Sequence, residues 1–375
     1  MRVAIINITS GGMSNGYRRL LRNIIPGISQ HSSVSELFVS IPDSFDISYL
    51  KHSNTIRWSV SKNGLLSRTP SDQRIEKSLE LFSPDVIFAP NARIIRNNGA
   101  PVVTMIQNME PIAYDGINPF FEKAVNWARY REVSKSIHRS KRIIAISGFV
   151  KEHLINGFNV PLEKIGLIYL GTESLNSGNY MKPVTVSDTW AGKFLFTAGS
   201  IRPARGLEDL LNVLQHLNAS EISGLAIAGE PSPRMQSYYQ DLKSWVQRHG
   251  LSDKVCWTGH LNDQEMGWCY QNCYAFVMTS RVESFGMVGV EALSHGCVCI
   301  AANNPCLPEI FGESAFYYSM KDKGSLIKAI RSAADLTSVQ RIEISGHAKK
   351  RALNFSWDAC VEKIIGELKK AVENK

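Results

Sequence analysis

The sequence predicts an α/β protein of two Rossmann-like parallel-sheet domains facing across a cleft, and three observations lead there. Short apolar runs alternate with helix-length segments through most of the chain, the pattern of parallel strands joined by crossover helices and buried on both faces. The alternation pauses in one polar, turn-rich stretch, 176–191 (NSGNYMKPVTVSDTWA), and then starts again. The 375 residues also exceed the size at which one core usually keeps growing.

The chain opens as strand–turn–helix. Residues 3–8 (VAIINI) are apolar, Ser10-Gly11-Gly12 turns, and a helical stripe runs from about Tyr17 through Leu20, Leu21 and Ile24. Further strands are expected at Leu37–Ile41, Val86–Ala89, Val102–Ile106, Ile143–Ile146 and Ile165–Leu170. After the pause the pattern resumes with strand FLFTAG, helix Leu207–Leu217, strand GLAIAGE, helix Met235–His249 and strand VCWTGH. Helix Gln264–Gln271, strand AFVMTS, helix Met287–His295 and strand CVCIAA follow, and a helix over Asp358–Ala371 closes the chain.

Composition limits the function classes. No run approaches the ~18 uncharged apolar residues that span a bilayer, and the first apolar run ends in Ser-Gly-Gly instead of a cleavage site, so the expected location is the cytoplasm. The seven cysteines all lie in the second half without a C-x-x-C pair, which suits reduced thiols acting as small hydrophobes. The charge of +8 is uneven: residues 1–190 hold 22 Lys+Arg against 15 Asp+Glu, so nearly all the excess is in the first half. Such a half can attract phosphates or an anionic surface.

The strongest chemical signal is 279–310, TSRVESFGMVGVEALSHGCVCIAANNPCLPEI. A strand ends near Ser280, a loop carries Glu283-Ser284-Phe285-Gly286, and a helix begins. The first amides of that helix, at Gly286, Met287 and Val288, lack intrahelical partners and sit at the positive end of the dipole, a site suited to a diphosphate. Gly286 lets a ligand approach the backbone. Glu291 falls one turn below Met287, about 5.4 Å along the axis, roughly the step from a diphosphate to its ribose hydroxyls. Glu283, above the helix, is placed to accept hydroxyls of the sugar. Taken as a bare pair, Glu283 could instead cap the helix and Glu291 could be a solvated surface residue.

This stretch resembles the glycosyltransferases of family four, which have the GT-B fold and retain anomeric configuration. The resemblance extends over nearly the whole chain. Residues 193–211 (KFLFTAGSIRPARGLEDLL) are similar to the family segment that sets an arginine and a lysine against the donor phosphates. Arg205 matches the lysine position, whereas Ser200 stands where the arginine is usual, with Arg202 two residues on. Gly12, after the first strand, matches the loop that faces donor and acceptor; the spacing from Gly11 to Gly16 fits a Walker loop, but Tyr17-Arg18 does not. Residues 147–173 resemble the end of the family's first domain. The usual histidine after the strand at 102–106 is missing: the sequence there is MIQNMEP, and Asn108 or Gln107 is the stand-in, Asn108 the preferred acceptor- or sugar-side ligand. The resemblance implies an acceptor-binding domain over 1–182, a nucleotide-sugar-binding domain over 183–357, and a closing helix, 358–375, packing back on the first.

The implied function is retaining transfer of a sugar from a nucleotide-diphosphate donor to a glycan or lipid-linked acceptor of the cell envelope, polysaccharide or lipopolysaccharide. The proposed catalytic residues are Glu283, Arg205 and Asn108; the donor-side residues are Gly12, Ser200, Arg202, Arg205, Glu283, Phe285, Gly286, Met287, Val288 and Glu291. There is no Asp-x-Asp pair, so neither a metal nor a cofactor is expected beyond the nucleotide-sugar co-substrate, a UDP-sugar by its frequency in the family, with a GDP-sugar as the alternative. The histidines, among them His138, His153, His260 and His295, are scattered and read as structural. Between 123 and 142 the chain carries Arg129, Arg131 and Lys135 among other cations, with Trp127 and Tyr130 interleaved and Glu132 the sole acid. Such a helix can dock on an anionic membrane surface on the inner face of the cytoplasmic membrane, or be an ordinary solvated face. Nucleic acid is not expected, because no binding module accompanies the charge. The competing readings are a soluble small-molecule acceptor and an inactive sugar-nucleotide-binding protein.

Overall fold

The computed structural model describes residues 1–7, 14–42, 45, 56–61, 70–93, 99–113, 120–173, 179–190, 192–218 and 220–373. The chain forms two compact units, one of residues 1–108, 127–171 and 356–375, the other of 109–126 and 172–355.

The first unit holds a seven-stranded sheet in the order β3-β2-β1-β4-β5-β6-β7, with every pairing parallel. Its strands are β1 (Arg2–Ile6), β2 (Glu36–Pro42), β3 (Ile56–Ser61), β4 (Val86–Ala89), β5 (Val102–Ile106), β6 (Arg142–Ala145) and β7 (Ile165–Leu167). The last ladder stops at Leu167, short of the Leu170 that the apolar run suggests. β3 escapes sequence inspection because its run, IRWSVS, is half polar. Helix α1 (Asn15–Gln30) starts on the Ser14 hydroxyl, which accepts from the Tyr17 amide at 3.3 Å, and buries Tyr17, Leu20, Leu21, Ile24, Ile25 and Ile28. Helices α2 (Pro70–Phe82), α3 (Glu110–Ala113), α4 (Phe120–Arg139) and α5 (Gly148–Phe158) follow in the chain, α3 and the first turns of α4 belonging to the second unit. The chain's last helix belongs to the first unit. It packs on α1 and on β4, β5 and β6. A Cβ at Gly27 would lie 2.8 Å from the Val361 side chain, so the glycine permits that close approach.

The second unit has a six-stranded parallel sheet in the order β10-β9-β8-β11-β12-β13. Its strands are β8 (Phe194–Ala198), β9 (Gly224–Ala228), β10 (Val255–Gly259), β11 (Ala275–Met278), β12 (Cys299–Ala302) and β13 (Ala315–Tyr318). Its helices are α6 (Leu207–Leu214), α7 (Gln236–Arg248), α8 (Asp263–Asn272), α9 (Met287–Ser294), α10 (Leu307–Phe311), α11 (Lys323–Ala334) and α12 (Ser338–Ala352); the closing helix of the first unit is α13 (Trp357–Glu373). Phe194, Phe196 and Phe276 are buried on β8 and β11, each contributing about 1.5–3 kcal/mol.

The strand order reverses between β8 and β11. Chain connections leave that junction in opposite directions, and α/β sheets bind ligands there, beyond the carboxyl ends of the strands. The described part of the turn-rich stretch is packed against the second unit. Trp190 is buried against Phe194, and the Tyr180 ring lies 5.9 Å from that of His295. All seven cysteines are free thiols, five of them buried, and burial pushes the Cys269, Cys297 and Cys299 thiols up. Among the described residues, no helix is long and apolar enough to cross a membrane.

Candidate active site

In the second unit, the loops after β8 and β11, the two strands that flank the reversal, build one cluster. After β8 the chain turns at Gly199 into a short 3₁₀ turn, Pro203–Arg205, and enters α6 through Gly206. Gly206 has φ +62°, and a Cβ there would stand 2.4 Å from the Thr279 carbonyl oxygen, so only glycine fits. The loop after β11 grips the same turn: Thr279 Oγ1 donates to the Arg205 carbonyl at 2.8 Å, and the Arg281 amide to the Ala204 carbonyl at 2.8 Å. The Arg281 guanidinium clasps Asp209 with two nitrogens, one of them at 2.7 Å, and Tyr318 donates to the same carboxylate at 3.3 Å. That bidentate pair fixes α6 against the β11 loop.

The clasp sets Arg205 and Glu283 against each other. Arg205 Nη1 pairs with Glu283 Oε1 and lies 3.2 Å from Ser280 Oγ, which itself donates to Glu283 Oε1 at 2.8 Å. The side chains are 24% and 12% exposed, so the pair is sheltered yet reachable. Gly199 makes room for it: a Cβ there would come 3.0 Å from the guanidinium carbon.

Helix α9 follows directly. Gly286 is its left-handed N-cap, with φ 88°. Glu291 is buried, not solvated, and accepts at Oε2 from the Tyr270 hydroxyl at 3.1 Å. The Tyr270 ring is held edge-on by Phe196 and Phe276 and stacked on His295, whose Nδ1 lies 2.9 Å from the Glu291 carbonyl. The residues of the bare Glu-x₇-Glu pair therefore differ in kind: Glu283 is tied to a cation, Glu291 to a neutral hydroxyl.

Several expected site residues take other positions. Phe285 is 2% exposed and packs edge-on against Phe355 at 5.5 Å, so its side chain anchors the loop and only its backbone is left for a ligand. Met287 and Val288 are half-buried in the first turn of α9, and Ser200 is exposed. Arg202 does not stand open: its Nη1 pairs with Glu110 Oε2. Gly12, with Gly11, lies outside the described residues. In the first unit, Gln107 is committed, its amide donating to the Pro90 carbonyl at 2.5 Å, whereas Asn108 is exposed. On α4, Arg131 and Lys135 are exposed, Arg129 is half-buried, and Trp127 is 63% exposed with the Arg131 guanidinium 5.0 Å over its ring. Sequence reading passed over Ser280, Tyr270 and Glu110. Ser280 stands three residues before Glu283 and could have been weighed; Tyr270 and Glu110 reach the site only through the fold.

Two parallel α/β units are the architecture of the GT-B fold, and an arginine–glutamate cluster opens a helix in the second of them. Residues 191–350 match the family model described as glycosyl transferases group 1, and residues 43–174 match glycosyltransferase family 4. Among curated relatives, an uncharacterized glycosyltransferase of Methanocaldococcus jannaschii is 23% identical over 284 residues, covering 73% of this chain and 70% of that protein. The O-antigen chain mannosyltransferase B of Escherichia coli is 25% identical, covering 64% of this chain and 65% of its own. The O-antigen chain mannosyltransferase RfbU of Salmonella typhimurium is 22% identical, covering 62% and 63%. The matches thus span about two thirds of these relatives. Among solved structures, Anabaena HepE in complex with UDP and glucose superposes with a TM-score of 0.76 at 16% identity, over 98% of this chain and 99% of that one. The apo lipopolysaccharide outer core galactosyltransferase WaaB gives a TM-score of 0.65 at 17% identity, over 99% of both chains. The chain belongs to the glycosyltransferases of family four and has the GT-B fold.

Proposed function

We propose that the protein is a retaining, metal-independent transferase that moves a hexose from a nucleoside-diphosphate sugar to a glycan or lipid-linked acceptor in cell-envelope polysaccharide or lipopolysaccharide synthesis. One observation carries the reading: the Ser280–Arg205–Glu283 cluster stands at the loop that opens α9, with Glu291 buried in the helix below. Arg205, Arg202 and the first amides of α9 would stabilise the leaving diphosphate. Glu283, its carboxylate held by Ser280 and Arg205, would accept donor-sugar hydroxyls, and Glu291 those of the ribose. With no histidine after β5, the departing phosphate is the base in a front-face path, and exposed Asn108 orients a hydroxyl. The envelope acceptor is supported by the O-antigen mannosyltransferases among the relatives, and a UDP-sugar by the UDP and glucose in HepE.

Hydrolysis of UDP-, GDP- and ADP-sugars by the purified protein tests the donor; turnover of none of them would refute the enzyme reading. Activity is expected to survive EDTA, because the sequence has no Asp-x-Asp pair and the arginines and helix amides carry the charge stabilisation. Loss of turnover on chelation, restored by manganese, would overturn metal independence.

A lipid-linked acceptor requires docking at the cytoplasmic membrane's inner face, and the cationic face of α4 with its exposed Trp127 suits it. Each basic residue near an anionic surface contributes about 1 kcal/mol. Replacing Arg129, Arg131 and Lys135 together by alanine should therefore weaken sedimentation with phosphatidylserine vesicles about a hundredfold, while activity on a short soluble acceptor persists. Equal sedimentation of both proteins would remove this surface. Failure of the wild type to sediment would favour a soluble acceptor.

A further inference from the structure

The sequence departs from the family pattern in two places, Ser200 where an arginine is usual and MIQNMEP where a histidine is usual, and in the folded second unit the residues beside these departures meet. Arg202, two residues past Ser200, pairs through Nη1 with Oε2 of Glu110, the acid of MIQNMEP. We propose that Glu110 is a positioning residue that holds the Arg202 guanidinium where a nucleoside diphosphate needs it, the pair replacing the family's single arginine. The inference rests on the reading of Arg202 as the second diphosphate cation.

Three observations carry it. First, Glu110 is fixed before any ligand arrives. Its side chain is 6% exposed, and its segment is tied to the β11–α9 loop by the Met109 amide, which donates to Ser284 Oγ at 2.9 Å. A second tie, Arg234 to Glu122 at 3.5 Å, holds the start of α4 in the same unit. The acid therefore stands beside the loop that carries Glu283.

Second, the contact is single-ended, like that of Arg205 with Glu283 and unlike the two-nitrogen clasp of Arg281 on Asp209. Asp209 takes two nitrogens of Arg281 and so holds that fork by both of its ends. Glu110 takes one end of Arg202, leaving donors of a five-proton fork for a second acceptor. Arg202 Nε lies buried without an acceptor among the described residues. Such an orphan destabilises the free state until an acceptor reaches it.

Third, an arginine displaced by two residues along a turn gains nothing from the family's local geometry. Its side chain carries rotamer freedom that binding would have to quench, and a rigid, buried carboxylate removes that freedom before the ligand binds. Glu110 also opposes the diphosphate with its own charge, so the sign of its effect separates a positioning acid from a competing one.

Calorimetric titration of the full chain with UDP and UMP (GDP and GMP if the donor screen selects guanosine) decides the matter, because only the diphosphate needs both cations. Glu110→Gln is expected to lower UDP affinity about tenfold and UMP affinity less than about twofold. Arg202→Ala should lower UDP affinity at least as much, and the double variant no further, since Glu110 acts through Arg202. Glu110→Asp, which keeps the charge on a shorter arm, should recover part of the loss and guards against a Gln variant that folds poorly. An unchanged UDP-to-UMP ratio in Glu110→Gln, or equal losses for both nucleotides, would overturn positioning while leaving Arg202 in place. A rise in UDP affinity would make Glu110 a competitor of the phosphate. A silent Arg202→Ala would instead remove the cation itself.

Discussion

Replacing Arg205 with alanine is expected to lower kcat by about two to three orders of magnitude, with a rise in donor KM of less than about tenfold. The leaving diphosphate gains charge as the glycosidic bond breaks, so a cation aimed at it stabilises the transition state more than the bound donor. In the free protein the same guanidinium orients Glu283 through Oε1, with Ser280 as the third member. Its loss therefore also frees the carboxylate proposed to hold the sugar. Arg205→Lys keeps the charge but not the fork and should recover only part of the rate. Steady-state kinetics with the donor varied, beside a thermal melt that shows the variant folded, checks this. A fall confined to KM would assign Arg205 to ground-state binding.

Glu291→Ala should weaken the donor and the free nucleotide alike by about 10- to 100-fold, corresponding to one lost hydrogen bond to a charged acceptor at about 1.5–3 kcal/mol. The fold should survive, because the Tyr270 hydroxyl keeps an alternative acceptor, the Val288 carbonyl at 3.2 Å. Glu291 contacts the ribose in the proposed reading, so UDP and UMP should suffer equally, unlike the diphosphate-selective loss expected at Arg202. Calorimetry on the folded variant reads this directly. Unchanged affinity for both nucleotides would place Glu291 in the core as a partner of Tyr270 and nothing more.

The two parallel sheets were legible because buried strands read as short apolar runs and crossover helices as amphipathic segments between them. β8, β9 and β11 follow the runs FLFTAG, GLAIAGE and AFVMTS closely. Where a strand is half polar, as in β3, the run fades and the sequence is silent. The helix-opening loop at 283–286 was legible too, since Gly286 and the two glutamates lie within one local segment.

What the sequence determined by itself is local: which segments form strands and helices, which loop opens α9, and which residue types are available to meet a diphosphate and a ribose. Tertiary structure alone decided the partners. Arg205 faces Glu283 because β8 and β11 lie side by side, whereas Arg202 is held by Glu110, 92 positions away, and Tyr270 on α8 underpins Glu291 on α9 through packing between segments remote in the chain. It also placed Phe285 in the core, where its ring packs on Phe355, 70 residues further along the chain. The physical reason is that periodicity records only whether a side chain faces the interior. The identity of the group it meets there depends on sheet order and crossover, and those are set by packing across the whole unit.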